Sequence, residues 1–345
     1  MPTAFVTGAT GFLGLNLVEQ LSERGWIVVA YHRPTSNTAQ LSRFPVRLAE
    51  GDIADFDAVA AAVPQGVDAI FHLAANTSVW SRRNAEQTRD NVEGTRAVIA
   101  AARAKGAKRV VHVSSWAAYG LEHGTIHEST SQSGQFSKVN YVRSKALAEQ
   151  EMKRAAAEGL PAVIVNPAHI LGRYDHKGWG RLFALVATRK LPGMLPGSGS
   201  FCHAEAAARA MIAAVDRGRV GHNYLLGGCD ANFGDVIRFI GDLAGQPVPR
   251  RTLTPFSIRV VARSKALGAV LTGREPALTP EAAEMMLARP RIVSTKARDE
   301  LGYQPTPLRL MLDDAYRWLR GEGYLTLPAD ADAPDPRRRP ALAER

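Results

Sequence analysis

The chain has 345 residues, 46% apolar and 22% charged, with 43 Lys+Arg against 33 Asp+Glu for a formal charge of +10. That length allows one large domain or two lobes sharing a core, and the composition is that of an ordinary globular protein, excluding a low-complexity or collagen-like chain. No apolar run is long enough to span a bilayer, a first strand starting at residue 3 leaves no room for a signal peptide, and Cys202 and Cys229 form neither a disulfide framework nor a metal-ligand spacing. A cytoplasmic protein with no bound metal is expected.

The first stretch, Thr3 to Gly14, sets the plan. A short apolar strand runs into glycines at 8, 11 and 14, and the apolar positions Leu13, Leu15, Leu17, Val18 and Leu21 then begin an amphipathic helix. Strand, glycine loop and helix start a βαβ unit for a dinucleotide. The glycines serve the tight turn, the approach of backbone to a pyrophosphate and close helix packing, and the helix N-terminus offers free N–H groups to the phosphates.

Further apolar strands are predicted at Trp26–Tyr31, Val46–Leu48, Ala69–Leu73, Val110–Ser114 and Ala162–Asn166, with helices near 55–63, 84–105 and 138–158 between them. This alternation predicts an α/β fold, a Rossmann-type doubly wound parallel sheet. Beyond Pro167 the rhythm breaks, and helices are expected at 180–190, 205–215, 232–245, 256–272, 279–288 and 307–320, with one more strand at Asn223–Leu226. We divide the chain into a dinucleotide-binding domain (1–170 and 201–230), a smaller, mostly helical C-terminal substrate lobe (171–200 and 231–325) and a disordered tail (326–345). The stretch from Arg250 to Arg274 holds six basic residues and no acidic one. It lacks the aromatics or motif of a nucleic-acid site, so no nucleic-acid partner is expected.

The second strand runs into Tyr31-His32-Arg33, where NAD-binding folds place a carboxylate for the ribose 2′-hydroxyl. Arg33 is instead suited to a 2′-phosphate, or is a solvated surface arginine. Asp52, after the third strand, is placed to meet the adenine or to cap the next helix. The strongest chemical signal is Ser115 at a strand end followed by Tyr141 and Lys145, four apart on one helix face. A free phenol titrates near pH ~10, and a nearby ammonium and a positive nicotinamide ring are expected to lower that value.

With these motifs the chain resembles the extended short-chain dehydrogenase/reductases over roughly 3–325: TGATGFLG at 7–14, NVEGT at 91–95 and YVRSK at 141–145 match their patterns. The late runs Ser294-Thr295-Lys296-Ala297 and Glu300-Leu301-Gly302-Tyr303 look like the branch of dihydroflavonol reductases and 3β-hydroxysteroid dehydrogenases. The resemblance implies Ser115, Tyr141 and Lys145 as catalytic, with Asn91 supporting them. It implies cofactor contacts at Gly8, Thr10, Gly11, Phe12, Leu13, Gly14, Arg33, Asp52, Ile53, Leu73, Ala74, Ala75, Tyr141 and Lys145, with Pro167 and Ile170 flanking the nicotinamide. NADP(H) is expected ahead of NAD(H), with a small carbonyl or alcohol substrate and a homodimer through the helices at 84–105 and 138–158.

Departures shape the substrate reading. Gly120 stands where flavonoid reductases bind their substrate through asparagine, Gln40 near their second basic residue for the 2′-phosphate, and Ala206-Ala207-Ala208 where relatives carry Asp-Val-Ala. No acid follows Ser115 as in sugar-nucleotide dehydratases, and Gly197–Phe201 lacks the arginine of many epimerases. A ketone or aldehyde reductase is the first reading, a nucleotide-sugar epimerase or dehydratase the second, a non-catalytic dinucleotide sensor the third. Trp80, Tyr119, Tyr174, Trp179 and His203 are candidates for the pocket wall. In the helix at 256–271 the stripe Phe256, Val260, Leu267 and Leu271, edged by Arg259 and Arg263, either meets an apolar ligand with a terminal charge or packs on the core.

Overall fold

The computed structural model describes residues 1–327; of the expected tail, 328–345 lie outside them, as do the side chains of Val270 and Leu271. The first half alternates as its apolar periodicity demands: β1 (Thr3–Thr7), α1 (Phe12–Glu23), β2 (Ile27–His32), β3 (Val46–Glu50), α2 (Phe56–Ala62) and β4 (Ala69–His72). Then come α3 (Asn84–Thr88), a π-helical turn at Arg89–Glu93, α4 (Gly94–Ala104), β5 (Val110–Val113), the short β6 (Thr125–Ile126), α5 (Asn140–Ala157) and β7 (Ala162–Pro167). The second half holds β8 (His169–Leu171), α6 (Gly180–Ala187), β9 (Ser198–His203), α7 (Ala204–Arg217), β10 (Asn223–Leu226), β11 (Cys229–Asn232) and α8 (Phe233–Ala244). It closes with α9 (Pro255–Thr272), α10 (Pro280–Leu287), β12 (Arg291–Ile292), α11 (Thr295–Leu301) and α12 (Leu308–Gly321).

Seven parallel strands form the main sheet in the order β10-β7-β5-β4-β1-β2-β3. The strands are apolar on both sides because both faces are covered: in β7, Val163 and Val165 join the core under α1 and α7, while Ala162 and Ile164 join the one under α2, α4 and α5. The run Ala206-Ala207-Ala208 is fully buried in α7, which packs on α1, so small side chains there permit close helix approach. The order reverses between β1 and β4, opening a crevice beyond their carboxyl ends, where ligands of such sheets bind.

Three short strands, β11-β9-β8, make a second sheet, and β12 pairs with β6. Short runs like these have too little period to be legible in sequence, and none was anticipated. A separate core of α6, α8 and α12 residues, among them Phe183, Phe233, Ile237 and Met311, packs against β8 and β9. No helix among the described residues is long and apolar enough to cross a membrane.

Candidate active site

A cleft of about 480 Å³ opens at the reversal point, a volume ordinary for a small-molecule or cofactor site. Its floor is the glycine loop. Gly8 takes φ +69°, and a Cβ there would stand 2.7 Å from the Ala74 amide nitrogen, while one on Gly14 would collide with the Gly8 carbonyl. Only a chain without side chains at these points lets the loop fold this tightly. The first turn of α1 has no side-chain cap, so its N–H groups remain free for phosphate oxygens. This cradle fits a dinucleotide.

Hydrogen bonds tie the loop to its neighbours. Ala74 N donates to Thr7 Oγ1 (3.1 Å), Thr7 Oγ1 meets His72 Nδ1 (2.8 Å), His72 Nε2 meets Thr95 Oγ1 (3.0 Å), and that hydroxyl donates to the Asn91 carbonyl (2.7 Å). One donor order satisfies every group: a neutral His72 protonated on Nε2, accepting from Thr7. Burial, aided by the Lys145 charge, pushes the His72 imidazole down to about 3, which agrees with that neutral form.

Of the three catalytic candidates, Tyr141 and Lys145 line the cleft, while Ser115 is buried next to the lining residue Ser114 and is not itself in the lining. Ser115 follows β5 and accepts from Ala117 N (3.2 Å), capping the short 3₁₀ turn Trp116–Tyr119. The Tyr141 phenol, in the first turn of α5, is near enough to the Ser115 side chain for that hydroxyl to favour its ionised form. Lys145, one turn further on, is buried and donates from Nζ to the Val113 carbonyl at 2.8 Å. Burial brings the Lys145 ammonium down to about 8, against the opposing pull of Glu149. Burial raises the Tyr141 phenol, although the Ser115 side chain near it works the other way. The lowering expected of that phenol is therefore absent in this state: desolvation outweighs everything else acting on it, and Lys145 is held at the Val113 carbonyl.

Glu149 is a buried carboxylate that the sequence reading passed over. It accepts from Asn166 (2.7 Å), Asn223 (2.6 Å) and Gln132 (2.6 Å) and pairs with Lys153 at 3.0 Å. So many partners hold its carboxyl below the usual range despite complete burial. It lies four residues beyond Lys145, one turn on, and fastens α5 to β7 and β10. A Glu inside an alanine-rich helix is ordinarily read as solvated; the asparagines that hold it here are 17 and 74 residues away.

Of the expected cofactor contacts, Gly8, Thr10, Gly11, Phe12, Leu13, Gly14, Arg33, Ile53, Leu73, Ala74, Ala75, Tyr141, Lys145 and Ile170 line the cleft. Asp52 and Pro167 do not. The Asp52 carboxylate accepts from Ala54 N (3.0 Å) and pairs with Arg89, while Asp55 caps α2. Pro167 is buried as the last residue of β7. Asn91 sits in the π-helical turn, where its amide accepts from Asn76 N (2.7 Å) and donates to the Asn76 carbonyl (3.1 Å) and to Ser144 Oγ (2.9 Å). It holds the loop after β4 and, through Ser144, is tied to the helix that carries Tyr141 and Lys145. Arg33 is exposed at the rim and makes no ion pair among the described residues. Gln40 donates to Glu322, which also pairs with Arg43.

Among the aromatic candidates, Trp179 lines the cleft; Tyr119 and Tyr174 are core, and His203 bonds Asp314 at 3.0 Å. Trp179 is the front of a cluster, with ring centroids 5.5 Å from His169, 5.1 Å from Phe201 and 5.0 Å from Phe233. Trp116 stands 5.8 Å behind His169. Burial takes the His169 imidazole down to about 4, so it is an uncharged member of this wall at neutral pH. Asn76, Ser114, Asp175 and Lys177 also line the cleft and were missed. Asp175 accepts from the backbone N–H of Lys177, Gly178 and Gly180; its Asp-x-x-Gly spacing is a turn signature that could have marked the loop.

The expected stripe on α9 reaches neither the cleft nor the core. Phe256, Val260 and Leu267 face solvent, and Ile258, Ala262 and Ala269 make the buried side; Leu271 lies outside the described side chains. Arg259 pairs with Glu284. The charged end of a substrate that this stripe suggested has no support in that geometry.

The sequence profile described as the NAD dependent epimerase/dehydratase family matches residues 4–227. The chain is 33% identical to sterol demethylase protein B of Methylococcus capsulatus, over 94% of this chain and all of that protein. It is 30% identical to a putative dihydroflavonol 4-reductase of Synechocystis, over 93% and 95% of the two chains. Among solved structures, that of gox2253 superposes with a TM-score of 0.81 at 33% identity, covering 94% of this chain and 100% of the other.

Proposed function

The chain belongs to the NAD dependent epimerase/dehydratase family, within the short-chain dehydrogenase/reductases, and is an NAD(P)-dependent enzyme of carbonyl and alcohol groups; from that premise we propose that it reduces an apolar ketone or aldehyde with NADPH. The observation that carries the proposal is the Ser115–Tyr141–Lys145 group at the end of a glycine-floored cleft whose neighbouring wall is aromatic. When bound, the nicotinamide dinucleotide supplies the hydride. The glycine loop and the α1 N-terminus hold its pyrophosphate, and Lys145 holds ribose hydroxyls. Ser115 orients the substrate oxygen, and Tyr141, a phenol protonated at neutral pH, delivers a proton to that oxygen. Trp179 and the rings behind it favour an apolar substrate body. A nucleotide sugar would demand several donors aimed at a second pyrophosphate, and Gly197–Phe201 supplies no charged one.

Arg33, exposed at the rim with no carboxylate beside it at the end of β2, supports NADPH over NADH. Two unpaired cysteines suit a reducing, cytoplasmic setting. We extend the proposal to a homodimer through α4 and α5, which light scattering at the monomer mass would refute. The test of function is a paired assay with NADPH and NADH. Apolar ketones of graded size form one arm, and UDP-, GDP- and dTDP-sugars the other. Ketone reduction faster with NADPH is expected; conversion of a nucleotide sugar with no ketone reduced would refute the proposal.

A further inference from the structure

α9 is an amphipathic helix turned inside out. Its ends are fixed by its own sequence: a capping box between Thr254 and Ser257, Pro255 in the first turn, and Gly273 in the left-handed region at φ 64°. It touches the rest of the protein through Ile258, Ala262 and Ala269, with Ile258 and Ala262 set against Leu253, Leu278, Ala283 and Met286. At 100° per residue, Phe256, Val260 and Leu267 lie within about 40° of one another on the opposite side. They are 77%, 44% and 72% exposed. A single exposed leucine is unremarkable, but an apolar stripe about 16 Å long directly opposite the buried face is a surface waiting for a partner.

The charge around that stripe says which partner. Arg259 and Arg263 flank it, Lys265 lies behind, and Arg250, Arg251 and Arg274 bracket the helix, with no acidic residue from 250 to 274. Arg259 is paired with Glu284; the other five make no ion pair among the described residues. Beside α9, across a small cavity lined by Lys138, Arg259, Arg263, Glu281 and Glu284, the turn before α5 carries Phe136, 79% exposed. Aromatic and aliphatic side chains rimmed by cations, on a helix too polar to span, match the surface of a bilayer with anionic headgroups: the apolar stripe enters the acyl boundary and the cations meet phosphates.

We propose that the outward face of α9 docks this protein on anionic lipid bilayers. Just past α9, Glu275 accepts from Ser78 Oγ at 3.4 Å, and Asn76 and Thr77 of that same loop line the cleft. The chain after α9 is thus tied to a loop that borders the cleft; that a membrane-dissolved substrate would profit from docking rests on the reductase reading, whereas the docking itself does not.

Co-sedimentation of the full chain with vesicles of phosphatidylcholine alone, and of phosphatidylcholine mixed equally with phosphatidylglycerol, tests it. Binding to the anionic vesicles alone is expected, falling as salt is raised. Arg263→Gln should weaken it roughly five-fold, and Phe256→Ser with Leu267→Ser should abolish it. All these side chains are exposed and outside the cleft, so melting temperature and NADPH binding should not move, and a misfolded variant would be recognised by them. Absence of binding to anionic vesicles, equal binding to neutral ones, or unchanged binding by the serine pair overturns the proposal. So does a dimer that only the serine pair dissociates without any vesicle binding, which would assign the face to a second copy.

Discussion

α5 and α9 are both 18 residues long and invert each other's rule. α5 carries Asn140, Ser144, Lys145 and Glu149 inside the protein, whereas α9 carries Phe256, Val260 and Leu267 outside it. The difference lies in who answers each side chain. Each of these four polar groups in α5 meets a partner fixed by the sheet, by α3 or by the π-helical turn after it, so desolvation is offset by hydrogen bonds and charge. On α9 none of the described residues covers the apolar stripe, so we seek its partner outside. Polarity alone thus ranks the two helices in the wrong order of burial.

The largest effect should come from α5. Tyr141→Phe keeps the ring and removes the proton, so turnover should drop by roughly 10²–10⁴-fold with NADPH affinity nearly unchanged, read by steady-state rates and a binding titration. Full activity in that variant would remove Tyr141 from the reaction.

Next is Glu149→Leu, which strips a carboxylate from Asn166, Asn223, Gln132 and Lys153. Breaking a buried charged network of this kind costs about 3–5 kcal/mol, measured by denaturant unfolding. Because Glu149 also holds up the Lys145 ammonium, whose value is already about 8, the high-pH limb of the reduction profile should move to lower pH. A stability loss with an unmoved profile would leave Glu149 structural only.

A third effect belongs to the α5 side of the molecule as well. His72 is held near 3 and His169 near 4, below the ordinary 6.5 of an unfolded chain. The unfolded state therefore binds protons first. Stability is full above about pH 6.5 and is lost as pH falls toward the folded values, at about 1.4 kcal/mol per pH unit for each histidine. Melting temperature should fall steadily from pH 6.5 to 5, and less steeply in His72→Gln. The smallest change should come from α9: Phe256→Ser with Leu267→Ser should alter folding stability by no more than about 0.5 kcal/mol, since neither side chain is covered. A loss several times larger would mean that the stripe packs on the protein after all.

What the sequence made legible was whatever is local. Alternating apolar runs yield the doubly wound sheet because period and burial are coupled in strands covered on both faces, while Gly14 is demanded by sterics within the loop and Gly8 by its own left-handed φ. The four-residue spacing of Tyr141 and Lys145 needs only a helix to bring them together. Partners distant in sequence were not legible. Asp52 is taken by Arg89, Asn91 by the loop at Asn76, and Glu149 by strands up to 74 residues away. The α9 stripe was visible as a stripe, but its pattern is the same whether it faces core, ligand or solvent. Only the placement of Ile258 and Ala262 against α10 decides that.

The central claim is that this cleft moves a hydride from cofactor to substrate for good, rather than lending it and taking it back. NADPH carrying deuterium at both C4 positions of the nicotinamide, incubated with the enzyme and an apolar ketone it accepts, tests this directly by mass spectrometry of the product. The account predicts one deuterium in the alcohol for each cofactor oxidised, appearing roughly 10²–10⁴-fold more slowly with Tyr141→Phe. An isomerised or dehydrated product formed from a nucleotide sugar, with the cofactor returned in its starting redox state, would contradict it.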